Sequence, residues 1–83
     1  MIEIKARLYE IEKELKELSN QKEAKRKCLQ DKAFSFKEGL FLYTEMAIAK
    51  EIELISKEIV SICEQIKGLL DEKEILERKL SGG

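Results

Sequence analysis

The sequence predicts an all-α chain folded as an antiparallel helical hairpin. Three observations carry that expectation. No proline and only four glycines interrupt its 83 residues. Two long rows of leucine and isoleucine recur at alternating spacings of four and three. Between the rows lies one short stretch with helix-start chemistry. A charged fraction of 40% beside a hydrophobic fraction of 43% is the composition of long helices and coiled coils. It is too apolar, and too regularly so, for a disordered chain.

The first row is Ile4, Leu8, Ile11, Leu15 and Leu18. Four-three spacing puts all five on one stripe of a helix, with the charges of "EIEKELKELS" facing away. Carried forward, the same phase assigns Lys22, Lys25 and Leu29 to the seam, so two successive layers are lysine. They lie within "SNQKEAKRK", residues 19–27, where Ala24 is the sole apolar residue. The first helix is expected over roughly 2–32.

The break falls in "AFSFKEGL", residues 33–40. Ser35 followed three residues later by Glu38 has the pattern of a capping box, and Phe34 ahead of it can pack over the first turn. Residues 33–35 are therefore expected to form a tight connection, with the second helix over roughly 36–80.

The second row is longer: Ile48, Ile52, Ile55, Ile59, Ile62, Ile66 and Leu69, then Lys73, Leu76 and Leu80. Isoleucine at both seam positions disfavours a parallel dimer and suits a higher-order bundle. Gly68 is the one place where this helix would break, although the unbroken phase from Ile66 to Leu76 favours continuity. A second stripe of Leu40, Tyr43 and Ala47, then Val60, Cys63 and Leu70, is more than one partner helix can cover. Two hairpins are therefore expected to pair into a four-helix bundle. Residues 1–80 form the single domain, and 81–83 ("SGG") a flexible tail.

A turn centred on residue 34 pairs residues whose numbers sum to about 68. Lys22 would then approach Glu45, and the Lys25 stem would lie over Phe41 or Tyr43. Helix two would overhang by roughly a dozen residues, ~18 Å. Cys28 and Cys63, each with apolar neighbours, would be buried as small hydrophobes. They would lie ~35 Å apart, which excludes an intrachain disulfide.

Histidine is absent, which removes the usual base at neutral pH and the commonest zinc ligand. The carboxylates sit among lysines at i+3 and i+4, the pattern of a solvated helix face. No glycine-rich phosphate loop is present. The expectation is a chain that is not an enzyme and holds no metal or cofactor. Charges interrupt every apolar run, and no leader is recognisable, so a cytoplasmic protein with reduced thiols and no membrane contact is expected.

The net charge of −1 is unevenly spread. Residues 19–37 carry six basic and two acidic groups, whereas residues 38–83 carry six basic and ten acidic. Function is expected to be interaction: a small scaffold, adaptor, co-chaperone or inhibitor that self-associates, a homodimer being favoured, and binds a protein partner. Leu8, Ile11, Leu15, Leu18, Ile48, Ile52, Ile55, Ile59, Ile62 and Ile66 would form the oligomer core. Leu40, Phe41, Leu69, Leu70, Leu76 and Leu80 would meet the partner. The alternative is a site for small anions such as nucleotides at the hairpin tip. Lys22, Lys25, Arg26, Lys27, Lys32, Lys37 and Tyr43 would form it, beside Phe36 and Phe41. The acidic second helix argues against long nucleic acid.

Overall fold

In the computed structural model, which describes residues 2–82, the chain forms two helices. Helix α1 spans Ile2–Ser35 and helix α2 spans Leu42–Gly82. They pack side by side as an antiparallel hairpin measuring 62 × 15 × 14 Å. The long dimension is the length of α2 itself, about 62 Å at 1.5 Å per residue.

Each helix turns a narrow apolar row toward the other. On α1 the positions with reduced exposure include Ile4, Leu8, Ile11, Leu15, Leu18, Lys22, Lys25, Leu29 and Lys32. On α2 they include Ile48, Ile52, Ile55, Ile59, Ile62, Ile66, Leu69, Lys73, Leu76 and Leu80. Both rows keep the four-three spacing of a coiled-coil seam throughout. Among the described residues only Ile11, Ile55 and Ile62 are buried, because two helices can enclose a seam on two sides but not on four.

The connection lies further along the chain than the capping-box pattern implies. Ser35 is the last residue of α1, not the cap of α2, and its hydroxyl donates to the Asp31 carbonyl at 3.1 Å. The Phe36 N–H donates to the Ala33 carbonyl, also at 3.1 Å, and tightens the final turn. A serine can bond back to the carbonyl four residues before it as readily as it caps the next helix. The chain reverses at Gly39, whose φ of +87° falls where a side chain would be strained. Helix α2 then starts from Phe41, whose carbonyl accepts the Glu45 N–H at 2.9 Å. The connection is thus residues 36–41, twice the length expected.

Moving the turn moves every pairing. Lys25 meets Glu58 and Lys32 meets Glu51, so facing residues sum to about 83 rather than 68. Lys22 therefore lies far from Glu45, and Lys25 is not placed over Phe41 or Tyr43. The expected overhang at the C-terminal end of α2 is lost, since Arg7 near the start of α1 reaches Glu72; instead the first turns of α2, 41 residues long against 34 for α1, run past Ser35. Helix α2 runs unbroken through Gly68 and ends two residues beyond expectation, at Gly82. Of the expected tail, Gly83 lies outside the described residues. Cys28 and Cys63 are both free and both exposed, not buried. With residue 28 opposite residue 55, their axial separation falls from ~35 Å to ~12 Å.

Two substitutions measure this architecture. Gly68 sits inside a helix with nothing within 4 Å of the place a β-carbon would occupy, so Gly68→Ala should stabilise the hairpin by about 0.5–1 kcal/mol. Ile11, with no exposed surface, should lose roughly 2–5 kcal/mol on truncation to alanine. Thermal unfolding tracked by circular dichroism checks both.

Candidate functional site

The surface of the hairpin has two long edges and a tip, and the sequence treats each differently. On α2, the positions immediately before alternate seam residues are Glu51, Glu58, Gln65 and Glu72, seven residues apart and so on one flank. Three of these face cations of α1. Arg7 donates through Nε to Glu72 Oε2 at 2.7 Å and through Nη2 to Oε1 at 2.8 Å, a bidentate pair. Lys25 pairs with Glu58, and Lys32 reaches Glu51 at 2.6 Å. Arg7 also lies 3.3 Å from Glu10 and 3.6 Å from Glu14. The edge is a ladder of basic α1 against acidic α2, in step with the antiparallel register.

The charge states follow from these contacts. The Glu72 carboxyl is held below the ordinary carboxylate range by its hydrogen bonds from Arg7, whose own affinity for its proton rises in return. Lys25 and Lys32 are raised by hydrogen bonding to Glu58 and Glu51 respectively. Arg26 turns back along its own helix to Glu23, which it holds below the ordinary range.

Three of the six basic residues of the expected anion site are engaged by separate carboxylates. Lys25, Arg26 and Lys32 each engage a carboxylate. Lys22 lies half-buried in the seam, and Lys27 is exposed on α1. Lys37 sits at the tip, where it shares a shallow concavity with Phe36, Glu38, Gly39 and Glu45. Tyr43 is exposed in the first turn of α2. From Lys22 to Lys32 the helix rises ~15 Å, and two carboxylates stand within the tip concavity. Among the described residues, no group of three or more metal-ligating side chains could hold a metal ion. Among the same residues, no helix is long and apolar enough to cross a membrane.

The expected contact residues divide. Leu69, Leu76 and Leu80 are half-buried along the seam, Leu69 beside Leu18. Leu40 is half-buried in the connection, whereas Phe41 is 86% exposed and Leu70 about half exposed. Others at the surface are Phe34, Leu42, Met46, Leu54, Val60 and Ile75. The edge of α2 opposite the charge ladder carries Leu42, Ala49, Ser56, Cys63 and Leu70, again seven residues apart, with Met46 and Val60 beside them. Only part of this edge stands out from the sequence as a second stripe; its extension through Met46, Ala49 and Ser56 needs the seam phase to be seen. No family model, curated protein or solved structure matches the chain.

The ladder makes stability depend on pH in a defined direction. Glu72 and Glu23, lowered in the fold, contribute stability above the unfolded carboxylate value of ~4.3 and lose it as pH falls through their folded values. Lys25 and Lys32, raised in the fold, contribute below the unfolded lysine value of ~10.4 and lose it as pH rises through theirs. The melting temperature should therefore be highest between these limits and fall on both sides. Glu72→Gln should flatten the acid limb, and high salt should shrink the effect because the pairs are water-accessible.

Proposed function

We propose that this protein is a non-enzymatic interaction module, a small scaffold or adaptor that acts by pairing its hairpin with further helices. The observation that carries this reading is the mismatch between the apolar surface the chain has and the surface it hides. Among the described residues three isoleucines are buried, while twelve large apolar residues are exposed. The accessible surface of 6647 Å² exceeds the roughly 5,100 Å² of a compact monomer of this mass. That excess is larger than the ~800 Å² one partner contributes to a stable interface.

A second hairpin is the simplest way to cover it, and two hairpins make a four-helix bundle with both seams facing inward. The ladder supports this arrangement, since the charged edge is already satisfied within one hairpin and the apolar edge is the one left to associate. The aromatic tip, with Phe34, Phe41 and Tyr43 all more than four-fifths exposed, supports a protein contact at the end of such a bundle. Isolated apolar residues are ordinary on a surface, but three exposed aromatics within ten residues of chain favour an interaction site.

Sedimentation equilibrium tests the reading. A dimer mass is expected, with helicity and melting temperature that rise with protein concentration. A monomer whose melting temperature is independent of concentration would overturn it.

A further inference from the structure

The apolar edge of α2 carries a charge pattern that a second copy of the same edge would complement. Its row runs Leu42, Met46, Ala49, Glu53, Ser56, Val60, Cys63, Lys67 and Leu70. Between Leu42 and Leu70 two charged residues interrupt it, and beyond Leu70 the flank continues into Glu74 and Glu77. The two interrupting residues are opposite in sign, and each lies seven residues from Val60. Reversing the row about Val60 places an acid where the base was and a base where the acid was. An isologous contact, in which the same patch meets itself across a two-fold axis, requires that property.

We propose that α2 pairs with α2 of a second copy, antiparallel, about a two-fold axis at Val60. Glu53 then meets the partner's Lys67, and Lys67 meets the partner's Glu53. Val60 packs on the partner's Val60, Ser56 lies by the partner's Cys63, and Ala49 lies by the partner's Leu70. This assignment rests on self-association as proposed above and specifies its geometry.

The hairpin leaves both charged groups available. Glu53 and Lys57 pair at 3.1 Å, but their side chains are 66% and 73% exposed, so the contact is weak and easily exchanged. Lys67 is exposed, and no carboxylate of the described residues pairs with it. Small residues at 49, 56 and 63 allow two helices to approach along the row. The axis lies two residues from the midpoint of the 41-residue helix, so nearly its whole length overlaps. A parallel pairing in register would instead set Glu53 on Glu53 and Lys67 on Lys67, which charge repulsion disfavours.

The experiment is charge reversal with mixing, read by sedimentation at low salt. Glu53→Lys and Lys67→Glu alone should each weaken the dimer by about tenfold or more, since each replaces two attractions with two repulsions. Mixing the two variants restores both attractions in a heterodimer, so the mixture should associate about as tightly as the wild type. Unchanged helicity in the isolated variants separates lost pairing from lost folding. As a second readout, Ser56→Cys on a Cys28→Ser background, oxidised with copper phenanthroline, should link residue 56 to the partner's Cys63. A wild-type dimer indifferent to both reversals, or one that links Cys63 to the partner's Cys63, would overturn the antiparallel geometry and leave self-association standing. A monomeric wild type would overturn self-association itself.

Discussion

The register in which the two helical rows meet decides nearly everything else about this molecule. An apolar row of four-three spacing can slide by a heptad against its mate and still bury leucine on isoleucine, so hydrophobic contact alone does not choose the alignment. Charge does. The carboxylates at 51, 58 and 72 recur every seven residues on one flank of α2, and Lys32, Lys25 and Arg7 descend α1 to meet them. Gln65 occupies the remaining place in the acidic series, beside Leu18, so the ladder is not uniform and a shifted alignment loses pairs. The turn at Gly39 then has to fall where this alignment puts it.

That constraint also explains the lysines within the seam. Lys25 and Lys32 occupy core positions of the coiled-coil repeat, where a buried ammonium would be costly. Neither is buried, because a two-helix seam is open along its edges. Each stem lies along the interface while its head leaves on the acidic side and finds a glutamate. The interruption "SNQKEAKRK" is thus part of the alignment device. Of its remaining cations, Arg26 pairs with Glu23 one turn before it, Lys27 is exposed, and Lys22 lies half-buried in the seam.

Helix identity and seam membership were legible in the sequence because both depend on local periodicity, which a single chain displays in full. The turn was not. Ser35 and Glu38 match a capping box letter for letter, yet the serine ends one helix and does not begin the next. The competing signal was Gly39, the one residue suited to a positive φ in that region. A turn centred on residue 34 lies about seven residues short of the observed centre of pairing, so facing pairs shift by about fifteen. It put Lys22 opposite Glu45, created an overhang, and set the cysteines ~35 Å apart when the true spacing along the axis is about a third of that. The exposure of Cys28 and Cys63 was hidden for a different reason: both sit next to seam positions, and one residue along a helix turns a side chain by about 100°. The candidate surface was only partly legible, because its row of small residues gains meaning once the opposite flank is known to be charged.

The two flanks have opposite consequences for association. A flank whose charges are satisfied within one hairpin offers a newcomer little, since any new ion pair must displace an existing one and remove bound water from four groups. The other flank presents alanine, serine, cysteine, valine and leucine, with one acid and one base set symmetrically about Val60. An incoming helix there exchanges water for apolar contact and meets charges that are weakly engaged. The electrostatics that fix the fold of one hairpin therefore also restrict where the next can sit. A chain of this length, with three buried side chains among its described residues, depends on such a contact more than a larger domain would. Its sequence spends its charged residues on alignment and leaves its small and apolar ones for assembly.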